Sequence, residues 1–255
     1  LATTADGLIK DNALSWWTSL GNDGPAVEKG GAAEALSLQI EGGTVRKVYT
    51  YTGTQPLLTD PSNAFVSTNT AITNAMLNVA DDTARQNLFT SVRDGVFGDI
   101  IHSEPAVVVY DTKTVIYVGA NDGLLHCIDD DTGQELWSFI PPEHIGRLWR
   151  LNDADHDYFV DGSPTVHYNG TEKILVVGSR RGGESYVALN ITNYSAPRFL
   201  YSIGPTILGP TPTNYERLGQ SWCRPEKITV ATGSTVTETG CGVDVVVSTD
   251  DVFLF

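Results

Sequence analysis

One acidic loop of this chain has side chains spaced to bind a metal ion. Its four aspartates occupy positions 1, 3, 5 and 9 of a pattern that gathers oxygen ligands around Ca²⁺. They are Asp153, Asp155, Asp157 and Asp161. The pattern is incomplete, because Tyr158 stands where an EF-hand loop needs Gly and Pro164 stands where a bidentate Glu belongs. The sequence therefore predicts either a weak calcium site or an acidic surface loop that leads into a strand.

The three cysteines predict one disulfide and one thiol. Cys223 and Cys241 flank residues 224–240, which have the pattern of two strands around a turn, so a hairpin would bring the two sulfurs together. In an oxidising compartment this bond would constrain the unfolded chain by about 3 kcal/mol. Cys127 lies in a predicted strand and is expected to be a small buried residue.

No other group of residues indicates chemistry. The five histidines share no metal-like spacing, and no serine lies in a G-x-S-x-G elbow. Residues 121–123 and 129–131 offer oxygen ligands, but hairpin turns select the same residue types. We therefore predict no catalytic and no cofactor-binding residue.

Composition narrows the class of protein. The chain has 255 residues, 41% of them apolar, and a net charge of −15, which would repel a nucleic-acid backbone. No apolar run approaches the ~18 residues that a membrane helix needs. The first residues lack the charged and apolar regions of a signal peptide, and the chain starts at Leu. We expect a processed product or part of a longer chain, and the single Met and three Cys suit an exported protein.

The elements that would position these residues are short strands. Residues 98–142 contain four β-rich runs, at 106–110, 114–118, 124–128 and 135–140. The breaks between the runs hold Asn, Asp, Thr and Gly, which favour tight hairpin turns. The stretch therefore predicts a four-stranded meander, the blade of a β-propeller.

The same unit recurs along the chain. Pro105, Pro164 and Pro225 each precede a β-rich run, and they lie 59 and 61 residues apart. We expect blades near 98–142, 158–204 and 218–255, with an insertion at 141–156 and a third blade that ends early. The predicted fold class is all-β, a partial and incomplete β-propeller of four-stranded blades within residues 98–255.

A mixed N-terminal segment, residues 1–97, is expected to pack on the propeller or contribute to it. Its pattern predicts a strand within 46–53 and short helices at 11–20 and 83–92. Asp11 would cap the first helix, and Gly95 would follow the second. Trp16 and Trp17 are expected in the core, as large aromatics usually are.

Five short runs resemble one known family of proteins. They are the Trp16–Trp17 pair, GDIIHSEP at 98–105, YVGANDG at 117–123, YFVDGSP at 158–164 and LGQSW at 218–222. Together they resemble the PilY/PilC family of type IV pilus-tip adhesins and pilus-biogenesis proteins. The resemblance spans residues 14–230 and corresponds to the family's β-propeller and the segment that precedes it. It extends neither to the family's N-terminal adhesive region nor to its blade with an Asp/Asn-rich calcium loop.

The resemblance implies a non-enzymatic protein that is exported through the periplasm to a pilus tip, cell surface or outer membrane. Its implied partners are minor pilins or the pilus filament, other chains that complete the propeller, and host or abiotic surfaces. Two alternatives stay open. Residues 118–137 also resemble the repeat of pyrroloquinoline-quinone dehydrogenases, although the vicinal cysteine pair of those enzymes is absent. The other alternative is a periplasmic assembly scaffold with the same repeat.

Overall fold

Two β-sheets enclose the main apolar core in a computed structural model of the chain. The structure describes residues 3–26, 29–95, 97–152, 155–205, 218–229, 244–246 and 251–254. The first sheet has five strands in the order β1-β5-β4-β3-β2. They are β1 (Val48–Thr50), β2 (Ala106–Val109), β3 (Thr114–Gly119), β4 (Leu125–Asp129) and β5 (Glu135–Ile140). Strands β2 to β5 form the antiparallel meander that the sequence predicts.

The first sheet gains its fifth strand from the N-terminal segment. Strand β1 pairs in parallel with β5, with Val48 opposite Ser138 and Thr50 opposite Ile140. The strand predicted within 46–53 is therefore present. How the chain divides into domains at residue 97 stays a prediction, but residues on both sides of that point share this sheet.

The second sheet is a four-stranded antiparallel meander. Its strands follow the chain in order: β6 (Thr165–Asn169), β7 (Glu172–Gly178), β8 (Tyr186–Asn190) and β9 (Arg198–Ile203). A third sheet contains β10 (Glu226–Thr229), β11 (Asp244–Val246) and β12 (Asp251–Leu254), with β12 in the middle. The third sheet therefore does not repeat the consecutive order of the first two.

Helices make the fold mixed rather than all-β, which corrects the predicted class. They are α1 (Gly31–Glu41), α2 (Asn74–Leu77) and α3 (Asp82–Asp94), with 3-10 helices at Pro61–Asn63, Pro142–Asn152 and Arg180–Gly182. The second predicted helix is confirmed as α3, where the Asp81 side chain accepts a hydrogen bond from the Ala84 amide at 2.8 Å. None of the helices that the structure describes is long and apolar enough to cross a membrane.

The predicted helix at 11–20 is wrong. These residues form turns, and Trp17 has a φ of 67°, which a right-handed helix does not allow. Its indole Nε1 donates to the Asp130 carbonyl at 2.8 Å, so a tertiary contact replaces the helical one. Trp16 is 76% exposed, which corrects its placement in the core.

Side-chain alternation in the strands fills the main core. One face of the first sheet packs against the second sheet, and its large buried side chains come from both. They include Tyr117, Trp137, Phe139, Leu175, Leu189 and Phe199. Two hydrogen bonds connect the first sheet to the loop between β8 and β9: Trp137 Nε1 donates to the Tyr194 carbonyl at 2.6 Å, and the Tyr110 hydroxyl donates to the Ile191 carbonyl at 2.7 Å. A second core joins the first sheet to α2, α3 and the 3-10 helix Pro142–Asn152.

Candidate functional site

The first sheet carries buried charged side chains on the face turned away from the second sheet. Four residues form this buried charge cluster: Arg46, Asp122, His126 and Glu135. His126 lies in β4 between two residues of the main core, so strand alternation turns it to the opposite face. Glu135 begins β5, and Arg46 lies two residues before β1. The cluster therefore joins the N-terminal segment to the sheet.

The cluster has the geometry of a complete hydrogen-bonded network. Arg46 donates from Nε and Nη2 to the two oxygens of Glu135 at 2.7 and 2.8 Å, the bidentate arrangement that a guanidinium favours. His126 lies 2.7 Å from Glu135 through Nδ1 and 3.1 Å from Asp122 through Nε2. The Phe97 ring stacks on the imidazole with a centroid distance of 4.0 Å. Water is thereby excluded from the ion pairs.

The neighbouring charges fix the protonation states of the cluster. Burial alone would raise the pKa of Glu135, but hydrogen bonds and charges from Arg46 and His126 outweigh it and lower that pKa to about 2. Burial alone would lower the pKa of His126, but Asp122 and Glu135 reverse the effect and raise it. The carboxylates of Asp122 and Glu135 thus favour the protonated form of His126. Because each group is held by the others, the cluster stabilises the fold rather than offering a free acid or base.

The segments that lead into the two meanders contact each other, and the contacting residues are one sequence repeat apart. His102 Nδ1 lies 2.8 Å from the Asp161 carboxylate, and the Glu104 amide donates to Ser163 Oγ at 3.0 Å. Each pair is separated by 59 residues, the distance between Pro105 and Pro164. The start of one meander therefore contacts the start of the next.

Glycines allow this close approach of the backbones. A Cβ added to Gly119 would lie 2.2 Å from the Val160 carbonyl oxygen, and one added to Gly162 would lie 2.1 Å from that of Gly178. Both distances are far inside van der Waals contact, so a larger residue at Gly119 would displace the segment that leads into the second meander, and one at Gly162 would separate that segment from β7. The Val-Gly and Asp-Gly-Ser-Pro runs that carry the family resemblance thus hold this segment against both meanders.

The predicted calcium ligands are divided among different partners. The Asp157 carboxylate pairs with Arg147 at 2.9 Å and Arg150 at 3.1 Å, whereas buried Asp161 faces His102. Asp155 is exposed, and Asp153 lies outside the described residues. Within the described ranges, no three His, Cys, Asp or Glu side chains gather as metal ligands would. Calcium binding by the four aspartates stays a prediction, and it would require Asp157 and Asp161 to leave these partners.

The Cys223–Cys241 disulfide also stays a prediction, because Cys241 lies outside the described residues. We expect non-reducing peptide mapping of the purified protein to recover the peptides of Cys223 and Cys241 joined to each other. Cys127 is the internal control: it is a buried free thiol in β4, and burial raises its pKa well above the usual value. It should react with an alkylating reagent only after denaturation. Free thiols at Cys223 and Cys241 in the folded protein would rule out the bond.

An edge strand exposes apolar side chains. Val107 and Val109 of β2 are 60% and 69% exposed, while Val108 between them is fully buried in the main core. The exposed pair therefore projects from the face that the second sheet does not cover. Ile100 and Ile101, just before β2, are 44% and 50% exposed. Exposed apolar side chains on an edge strand mark a surface suited to contact with another protein element.

Sequence reasoning missed the buried charge cluster. A signal was present, because His126 and Glu135 stand inside predicted strands that are otherwise apolar, and a charged residue facing inward needs a partner. It also missed Glu143 and His144, which lie in the insertion at 141–156 and are discussed below.

Comparisons with known proteins find similar sequences among pilus proteins. Over 142 residues, 43% of the chain, it is 33% identical to a protein of Xylella fastidiosa described as a type IV pilus biogenesis factor PilY1 homolog. It is 32% identical over 146 residues to type IV pilus biogenesis factor PilY1 of Pseudomonas aeruginosa. The chain spans 12% of the length of each of these relatives. No family model matches it.

A solved structure is also similar in sequence. The crystal structure of the Pseudomonas aeruginosa PilY1 C-terminal domain aligns with 48% of this chain and 23% of its own chain, at 31% identity and a TM-score of 0.35. The described part of the chain contains two consecutive antiparallel meanders. In sequence the chain is similar to the PilY1 type IV pilus biogenesis factors, the resemblance that the sequence runs predict.

Proposed function

We propose that this chain is the β-propeller part of a type IV pilus biogenesis factor and tip adhesin, which acts through protein–protein or surface contacts and not as an enzyme. The similarity to PilY1 proteins carries the proposal. The names of those proteins refer to pilus biogenesis, and we propose a pilus role for this chain too. The proposed location is therefore the pilus tip or the cell surface, reached through the periplasm. Minor pilins or the filament are the proposed partners.

The seam between the two meanders supports a propeller. Two consecutive four-stranded meanders pack face to face around the main core, and contacts one repeat apart join the segments that lead into them, as in neighbouring blades of a ring. On the other face of the first sheet the β2 edge is uncovered, and its exposed Val107 and Val109 give it the apolar character of a contact surface. We propose that further blades, from the rest of a longer protein or from other chains, cover this edge and the edge at β11.

The pilus proposal is tested by binding to isolated type IV pili carrying their minor pilins. The chain is expected to bind saturably, and replacement of Val107 and Val109 by Glu should weaken binding at least about tenfold, because charges would then have to be buried in the contact. Leu8→Glu is the matched control: Leu8 is 68% exposed elsewhere on the surface and should tolerate the change. Filament co-sedimentation measures both.

The outcomes separate the proposal from its alternatives. Absence of binding to pili would contradict the pilus role. Equal binding by the double variant and the wild type would leave the pilus role standing but remove Val107 and Val109 from the contact. Dye-linked alcohol oxidation after addition of pyrroloquinoline quinone would support the dehydrogenase alternative, and we expect no turnover in that assay.

A further inference from the structure

A polar cavity lies beside the seam, between the 3-10 helix Pro142–Asn152 and the turn that leads into β8. Its volume is about 380 Å³, within the range of small-molecule sites. Polar side chains from both elements line it: Glu143, His144, Arg147, Arg181, Glu184 and Ser185. Pro205 and Gln220 complete the rim. Apart from Arg147, the partner of Asp157, no residue of this lining belongs to the predicted calcium loop or to the exposed surface at β2.

Two side chains in the cavity wall have buried polar atoms without a hydrogen-bond partner. Within the described part of the chain, neither carboxylate oxygen of Glu143 has a hydrogen-bond partner, and neither has His144 Nδ1. His144 is 1% exposed, and its other nitrogen, Nε2, lies 2.9 Å from Ser179 Oγ. The Ser202 hydroxyl lies near Glu143 and acts to lower its pKa, but no hydrogen bond joins the two groups. Buried polar atoms without partners are costly, so a bound ligand would supply what these atoms lack.

The cationic neighbour of these groups is already engaged. Arg147 donates to the Asp157 carboxylate at 2.9 Å and to the Tyr158 carbonyl at 3.2 Å, and it also contacts the Gly182 carbonyl. It therefore cannot neutralise Glu143 without losing these bonds. Burial raises the pKa of Glu143 to about 6 and lowers that of His144 to about 3, so the imidazole is neutral at pH 7. Arg181, Glu184 and the amide of Gln220 also line the cavity.

This mixture of groups selects the ligand chemistry. An anion would be repelled by the carboxylates of Glu143 and Glu184, and a cation would be repelled by the guanidinium of Arg181. A hydroxyl group both donates and accepts, so several hydroxyls on one ligand can satisfy a carboxylate, a ring nitrogen and a guanidinium together. We propose that this cavity binds a small neutral saccharide of one or two rings. Its hydroxyls donate to Glu143, form a hydrogen bond with His144 Nδ1, and accept from Arg181 and Gln220. This binding would not depend on the role in the pilus.

The test uses saturation-transfer NMR on the 255-residue protein. The probes are glucose, galactose, mannose, N-acetylglucosamine, maltose and lactose at millimolar concentration, with ethanolamine and inorganic phosphate as charged probes. We expect transfer to at least one sugar. Glu143→Gln should weaken that binding about tenfold, because a hydroxyl bond to a carboxylate is replaced by a weaker bond to an amide.

The control is Glu41→Gln, which makes the same change at an exposed carboxylate at the end of α1 and should bind like the wild type. Thermal unfolding checks that both variants fold. The proposal is overturned if no sugar shows transfer. It is equally overturned if transfer persists unchanged in folded Glu143→Gln, or if only ethanolamine or phosphate binds in a manner that depends on Glu143.

Discussion

Replacement of Arg46 by Ala is expected to lower the free energy of unfolding by about 3–5 kcal/mol, the usual cost of removing one partner from a buried ion pair. The Arg46 and Glu135 side chains are only 2% and 1% exposed, so Glu135 would remain buried without its bidentate partner. The Val92 carbonyl would also lose its bond from Arg46, which loosens the end of α3. Urea denaturation followed by tryptophan fluorescence measures the change.

The matched control for this substitution is Arg150→Ala. Arg150 also forms an ion pair, with Asp157 at 3.1 Å, but its side chain is 45% exposed. Surface ion pairs contribute about 0–1 kcal/mol, so this variant should unfold close to the wild type. Similar losses in the two variants would show that the buried charge cluster carries no special share of the stability.

A second large effect is expected in the pH dependence of stability, and it comes from Glu143. Its pKa is raised from 4.5 to about 6 by burial, so between these values the folded state binds more protons than the unfolded state. The stabilising contribution of its protonated form is complete below pH 4.5 and is lost as the pH rises through 6. The loss amounts to about 2 kcal/mol at 1.36 kcal/mol per pKa unit.

The comparison with Glu143→Gln isolates this contribution. The other titratable and charged groups of the cavity are His144, Arg147, Arg181 and Glu184, and Ser202 lies near Glu143. All of them are present in both proteins, as is the buried charge cluster. The variant should therefore gain about 2 kcal/mol relative to the wild type between pH 4.5 and 7, measured by urea denaturation at each pH. A difference between the two proteins that does not change with pH would contradict the raised pKa.

Local patterns allowed the meanders and α3 to be predicted. The β-rich runs that become β3 to β5 and the turn residues between them are local signals, and so is the helical pattern of residues 83–92 that ends before Gly95. The repeat at Pro105 and Pro164 is also visible in the sequence. In the structure the residues just before these prolines, Glu104 and Ser163, form a hydrogen bond.

Features set by distant contacts could not be predicted in this way. The region around Trp17 has a helical pattern, but its indole bonds to Asp130, 113 residues away, and the helix is absent. The parallel partner of β1 and the meeting of Arg46 with Glu135 likewise depend on how the N-terminal segment docks. Nothing in a short window of sequence identifies Glu143 and His144 as buried, because their burial comes from the turn before β8.

The parallel pairing of β1 with β5 determines how the protein would bear mechanical load. The chain passes from the start of β1 to the end of β5, so tension applied to its two termini would pull these strands in opposite directions along their axes. Their hydrogen bonds would then be loaded in shear, all at once, together with the bond from the Ser138 amide to the Lys47 carbonyl at 2.9 Å. The Arg46–Glu135 ion pair lies next to the point where the force enters. Residues 51–134 would stay folded until this joint yields, so the joint protects the rest of the first sheet against stretching.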